Sequence, residues 1–423
     1  MKLARLLPLV ALMTLLSSCG GSKYSFDFVN SLYEPVTPAV ASSPYASRLA
    51  DCTFNASRST PCTLNELPFI GLDSSRITID SVMNHVLASQ PWMSERFRQL
   101  LETLPDDVLQ MMKPVTAIVI TGKVRPSYYR ALTGAIYIDP QNLWTTQDEL
   151  NTINHTPDYR NVYASRLNIS TLWRYAKDNT YAYKYYALDS TETRTIDDIK
   201  LPFFALLVHE MSHAGDYVPP GKLSTIRKDI PFYEAILQLD KEWINTRLYS
   251  VYPLHSSLWK GLAEVWYAGK EPSSQQLALT PIDVAGEFSD DRASDDYAYH
   301  TRTEDVAMLT EETLMAIYHG VQRDYAITNT PQVENPTSAD YQVGWGQRGR
   351  IGEPRVREAA AFVLGELLPG VDFSASLQTL AAPTQMTVGA TWADNLTLGS
   401  RTRKVPLSPR DQNRPATGDI ERL

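Results

Sequence analysis

The chain has 423 residues, and its 48 Asp and Glu outnumber its 39 Lys and Arg, giving a formal net charge of −9 at pH 7. An acidic balance of that size argues against nucleic acid as a partner. The length leaves room for two or three domains, or for one core with elaborations. Past the N-terminal leader no apolar run approaches the roughly 20 residues that a transmembrane helix needs.

The first residues read as a targeting segment. Lys2 and Arg5 form a basic start and residues 6–16 a short apolar run, the layout of an export signal. Leu16-Ser17-Ser18-Cys19 follows, and it resembles the lipobox at which bacterial lipoproteins are cleaved and lipidated. The resemblance implies that residues 1–18 are a signal peptide and that Cys19 becomes the lipidated first residue of the mature protein. The membrane is then a partner through this lipid. Gly20 stands where that family's inner-membrane retention signal has Asp, which implies a cell-envelope protein anchored in the outer membrane of a Gram-negative bacterium. Losing Lys2 and Arg5 would take the charge from −9 to −11. The alternative is an ordinary secreted protein cut near Ser18. Either way the chain leaves the cytoplasm, and Cys52 and Cys62, close in sequence, read as a disulfide.

Residues 19–50, rich in Ser, Pro, Ala and Gly, are expected to be a flexible tether. Residues 51–112 form a disulfide loop and a helical region. Ile79, Val82, Val86 and Leu87 fall at helical spacing, and so do Phe97, Leu100, Leu101 and Leu104. The period then changes. Residues 115–121 read as a strand, and residues 134–140 as a second that stops at Pro140 or lies on a sheet edge. An edge strand around residues 136–138 would offer main-chain groups to a peptide. Residues 145–200 are polar and rich in Tyr (Tyr159, Tyr163, Tyr175, Tyr181, Tyr183, Tyr185 and Tyr186). They are expected to wrap the site and to carry no chemistry of their own. Further on, residues 231–249, 258–268, 303–318 and 356–368 carry helical patterns, with an irregular acidic connection at 271–295. Residues 371–423 read as a C-terminal extension whose last stretch, from residue 400, is polar and disordered.

The stretch Leu206-Leu207-Val208-His209-Glu210-Met211-Ser212-His213-Ala214-Gly215-Asp216 contains H-E-x-x-H. On a helix, residues four apart share a face, so His209 and His213 can aim two imidazoles at one point. That suits two of the three protein ligands of a catalytic zinc, and Glu210 beside them is placed to act as general base. The apolar run before His209 brings the helix in from a core, and Gly215 is expected to end it. The bland alternative is a helix with two core histidines and a solvated Glu.

A third ligand is required, and no His follows between residues 217 and 223. Glu304 on the helix at 303–318, with Thr303 as its expected cap, fits this role. His300 and His319 are competitors. The pair of segments His209-Glu210-x-x-His213-Ala214-Gly215-Asp216 and Glu304-Asp305-x-Ala307 resembles the gluzincin family of zinc metallopeptidases, and most of all its branch around anthrax lethal factor. The resemblance covers some 25 residues. It implies Zn²⁺ held by His209, His213 and Glu304, a general base at Glu210, and an oxyanion-steadying Tyr two turns upstream of the ligand Glu, at Tyr297 or its neighbour Tyr299. Many members have an acidic residue four after the ligand Glu that orients a histidine. Here that position is Met308, which leaves Asp216, Asp305 and Glu311 as candidates for the task.

The expected fold is α+β: a mostly helical, zincin-like metallopeptidase domain over residues 113–370, with a small mixed sheet beside the H-E-x-x-H helix. The expected function is a membrane-anchored zinc endopeptidase acting on a protein or peptide substrate. The alternatives are a zinc amidase acting on cell-wall peptide and a non-enzymatic surface lipoprotein with a structural or vestigial metal site.

Overall fold

The computed structural model describes residues 35–54, 56–73, 76–155 and 166–399. The expected signal peptide, Cys19, Tyr159, Tyr163 and the tail from residue 400 lie outside the described residues. The architecture is α+β, with two five-stranded sheets and a set of helices packed between and around them.

The first sheet contains β1 (Thr37–Pro38), β2 (Val86–Ala88), β3 (Ala117–Ile120), β4 (Tyr128–Arg130) and β5 (Ala135–Ile138), in the spatial order β1-β2-β3-β5-β4. Strands β2, β3 and β5 are parallel, while β1 and β4 run antiparallel at the two edges. Ala117-Ile118-Val119-Ile120 is buried throughout, as expected of a central parallel strand covered on both faces. Two expectations change here. Val86 and Leu87, read as helical, belong to β2 and pair with Ile118 and Val119. Three apolar residues do not distinguish a helical turn from a buried strand. The strand 135–138 does stop before Pro140 but is not an edge, because β4 folds back onto its outer side.

Residues 37–50, read as tether, contribute β1 and part of α1 (Ala46–Thr53). Cys52 and Cys62 are disulfide-bonded, with Cα atoms 5.4 Å apart. The bridge sits over a small apolar cluster of Leu49, Leu67, Leu87, Val119 and Tyr137. Helix α2 (Pro91–Leu101) packs its Met93, Phe97 and Leu100 into the main core.

Helix α3 (Ile196–Tyr217) is the axis of the molecule. Thr195 starts it with a capping box: its hydroxyl accepts from the Asp198 N–H at 3.3 Å and the Asp198 carboxylate accepts from the Thr195 N–H at 2.7 Å. Each such exchange satisfies otherwise orphaned donors of a first turn. From Phe203 onward every residue is buried, so this part of the helix has no solvent face. Gly215 does not end it. The helix continues to Tyr217, and a Cβ at Gly215 would lie 2.4 Å from Leu367 Cδ2. The glycine is there for close approach of a neighbouring helix.

The single helix expected at 231–249 is two, α4 (Phe232–Leu237) and α5 (Ile244–Val251). The break lets Trp243 pack edge-on against Tyr217 at 5.0 Å and lets Asn245 reach Asp216. Helix α6 (Ser257–Ala268) follows, capped by Ser256, and α7 (Pro281–Asp290) occupies part of the connection expected to be irregular. Helix α8 (Arg302–His319) lies against α3, and its cap is Thr301 rather than Thr303: the Thr301 hydroxyl accepts from the Glu304 N–H at 3.1 Å. Helix α9 (Pro354–Leu367) supplies the Leu367 that meets Gly215.

The second sheet was not foreseen. It is antiparallel, with β6 (Ile169–Lys177), β7 (Thr180–Tyr181), β8 (Gln322–Asn329), β9 (Val343–Arg348) and β10 (Thr384–Gln385) in the order β10-β9-β8-β6-β7. Part of the segment read as a C-terminal extension packs on it, with Met386 and Trp392 joining Leu172, Ala326 and Val343 in one apolar cluster. Trp392 is fully buried, and its carbonyl accepts from Arg174 Nη1 at 2.8 Å. Arg174 and Arg348 share Asp324 in the interior.

Candidate metal centre

Helices α3 and α8 bring His209, His213 and Glu304 together. Glu304 Oε2 lies 3.1 Å from His209 Nε2 and 3.3 Å from His213 Nε2. The ligand atoms that the three residues offer all lie within 4.8 Å of one another. Among the described residues this is the one group of His, Cys, Asp and Glu that could hold a metal ion. The H-E-x-x-H spacing does what a helix dictates: the two imidazoles sit 4.9 Å apart, nearly perpendicular. Glu304 reaches them because the Thr301 cap fixes the first turn of α8 beside α3.

All three side chains are at most 2 % exposed, so neighbouring groups rather than water set the charges of His209 and Glu304. Burial works against a charged His209, yet hydrogen bonds to Glu304 and Glu311 outweigh it and push its pKa up to about 10. Burial likewise opposes a charged Glu304, and the two histidines overcome it and hold that carboxyl well below its usual range. The carboxylates therefore demand positive charge at the point where the imidazoles converge. Glu304 Oε1 and Glu210 Oε2 are buried without a hydrogen-bond partner among the described residues. Orphaned buried oxygens are costly, and they fit a site shaped for a cation. Two imidazoles and one carboxylate with a position left over is a zinc donor set of the catalytic kind.

Glu210 is buried beside the cluster. Burial raises its pKa, and its carboxylate accepts a hydrogen bond from the backbone N–H of Tyr129 on β4. The edge strand thus touches Glu210 directly, a contact that nothing in the sequence indicated.

The orienting group for His209 is Glu311. Its Oε2 accepts from His209 Nδ1 at 3.1 Å, which leaves Nε2 turned toward Glu304. Glu311 stands seven residues after Glu304, two helical turns on the same face, where the resemblance led one to look four residues on. Asp216 and Asp305, also proposed for this task, are engaged elsewhere. The Asp305 carboxylate is bound by both terminal nitrogens of Arg292, at 2.9 and 2.6 Å. Asp216 accepts from the Asn245 N–H at 2.6 Å and from Asn245 Nδ2 at 2.8 Å. Burial pushes Asp216 up to about 7, against the lowering effect of the two Asn245 hydrogen bonds.

The two tyrosine candidates separate. The Tyr297 ring lies 6.2 Å from the His209 ring and nearly parallel to it. The Tyr299 hydroxyl instead donates to Asp291 at 3.0 Å, with its ring stacked on Trp259. His300 stacks on Tyr297 and His319 packs edge-on against Phe204, neither as part of the ligand group.

Three residues that hold the site from behind were missed: Tyr175, Arg323 and Asp295. Tyr175 and Arg323 lie on β6 and β8, strands that went unread, so nothing connected them to the motif. Comparisons with protein-family models, with curated proteins and with solved structures returned no match.

Proposed function

We propose that the chain is a zinc-dependent endopeptidase of gluzincin type, carried on the cell envelope by a lipid at Cys19. The observation that carries this reading is the buried convergence of His209, His213 and Glu304 with Glu210 alongside, on two helices far apart in sequence. A structural zinc site would be closed by a fourth protein ligand, and the ligand group here has three members among the described residues.

His209, His213 and Glu304 would hold the ion, and Glu311 would keep His209 in the tautomer with Nε2 facing it. When bound, the zinc would polarise the scissile carbonyl and lower the pKa of water to about 7. Glu210 then accepts the proton of the attacking water on its unpartnered oxygen and returns it to the leaving amine. The Tyr129 N–H keeps its other contact, so the base stays aimed. Tyr297, over the His209 ring, donates its phenol proton in a hydrogen bond to the carbonyl oxygen as that oxygen becomes negative. A peptide would be presented along the β4 edge, since β5 is covered.

The test is a digest of casein or a peptide library by wild type and by Glu210→Gln, each with a chelator control. The amide keeps its shape but has no basic oxygen, so activity should fall by about 10²–10⁴ while metal is retained. Digestion by Glu210→Gln at the wild-type rate, or digestion indifferent to chelator, would refute the peptidase reading.

A further inference from the structure

Behind Glu311 lies a buried guanidinium with two separate lines of contact to the centre. Arg323 Nη1 donates to Glu311 Oε1 at 3.2 Å, and the Tyr175 hydroxyl donates to the same oxygen at 2.6 Å. The opposite oxygen of Glu311 holds His209. Arg323 Nη2 donates to Asp295 Oδ2 at 2.7 Å. The other oxygen of Asp295 accepts the backbone N–H groups of Tyr297 at 3.0 Å and Ala298 at 3.3 Å, fixing the short turn at Tyr297–Tyr299. The guanidinium is itself clamped, with its carbon 4.2 Å from the centre of the Trp173 ring and Nε 3.6 Å from Glu312 Oε1. Arg323, Tyr175, Glu311 and Asp295 are all at most 4 % exposed.

We infer that Arg323 is a positioning residue for the centre, using its two terminal nitrogens to hold Glu311, and through it the ligand His209, in register with Asp295, and through it the turn that carries Tyr297. This rests on the zinc peptidase reading above. A guanidinium suits the task because its planar fork presents donors at a fixed angle. The second sheet thereby sets the spacing between a metal ligand and the oxyanion donor, although it supplies neither. An ammonium at position 323 would keep the charge but could not reproduce the fork.

The experiment compares full-length wild type, Arg323→Lys, Tyr175→Phe, Arg174→Met and Glu304→Ala. Zinc affinity is read by competition with a chromophoric chelator, and ligand geometry by the visible bands of the Co²⁺-substituted protein. Loss of an outer partner of a ligating histidine commonly costs about 10–100-fold in metal affinity. Arg323→Lys should fall in that range with altered Co²⁺ bands, and Tyr175→Phe should lose affinity several-fold. Arg174 is equally buried on the same sheet but pairs with Asp324. Its variant should therefore unfold more easily and yet bind zinc as wild type does. Wild-type zinc affinity and Co²⁺ bands in Arg323→Lys would overturn the inference while leaving the peptidase reading intact. Should Arg323→Lys not fold, Tyr175→Phe, which removes a single hydroxyl, decides by the same two readouts. Failure of wild type to bind zinc any better than Glu304→Ala would remove both readings together. For the second line of contact, kcat losses in Arg323→Lys and Tyr297→Phe should be less than additive in the double variant. Strict additivity would overturn the link to Tyr297.

Discussion

Replacing both cysteines of the bridge, Cys52→Ala with Cys62→Ala, tests how the first sheet is braced without touching the metal centre. The bridge closes a loop of sequence separation 10. Loop-closure entropy for about 11 residues gives a stabilisation of about 2.8 kcal/mol at 25 °C. The loss should fall on the face that backs the edge strand. The Thr53 carbonyl, next to Cys52, accepts from the Tyr137 hydroxyl at 2.9 Å and from Arg130 Nη1 at 3.1 Å, so α1 is tied to both β5 and β4. With an unfolding entropy of about 2.1 cal/mol/K per residue over the folded chain, the thermal midpoint should drop by roughly 3–4 °C. The assay is calorimetry of wild type and the double variant, with and without reductant. Reductant should lower the wild-type midpoint to that of the variant and leave the variant unmoved. Zinc binding should survive, because the three proposed ligands sit on α3 and α8. An unchanged midpoint would refute the bracing role, and loss of zinc together with the bridge would refute the separation between brace and centre.

Cys19→Ala should abolish palmitate labelling and release the protein from membranes, and equal labelling of both proteins would rule out the lipid anchor. Tyr297→Phe should keep its zinc and lower kcat more than it raises KM, because its hydrogen bond forms mainly in the transition state; a pure KM effect would move Tyr297 from chemistry to binding. Thr301→Ala removes the cap whose hydroxyl accepts from the Glu304 N–H. It should cost about 1 kcal/mol in urea unfolding and weaken zinc binding in parallel, whereas an unaltered urea midpoint would show that the cap contributes nothing.

The parts of the site that were legible in the sequence are those set by one helix. His209, Glu210 and His213 follow from a four-residue spacing, and Glu304 from a helix start. The rest depends on partners that sequence spacing does not reveal. Glu311 was one of three acidic candidates left open once Met308 was found at the family's position, and only packing against α3 selects it over Asp216 and Asp305. The second sheet was hidden because its strands bury charges. Arg174 in β6, Arg323 and Asp324 in β8 and Arg348 in β9 are all interior, so the alternation of apolar and polar residues that marks a strand is broken where the ion pairs form. The edge assignment failed for a similar reason. Pro140 marks the end of β5 correctly, but the hairpin that brings β4 over it is a matter of pairing.

The central claim is that His209, His213 and Glu304 together hold one zinc ion. It is tested most directly by the zinc content of the purified protein, wild type beside Glu304→Ala, after dialysis against buffer containing a weak chelator. Near one zinc per chain in wild type, and close to none in Glu304→Ala, is the predicted result. Equal zinc content in the two, or none in either, would contradict it.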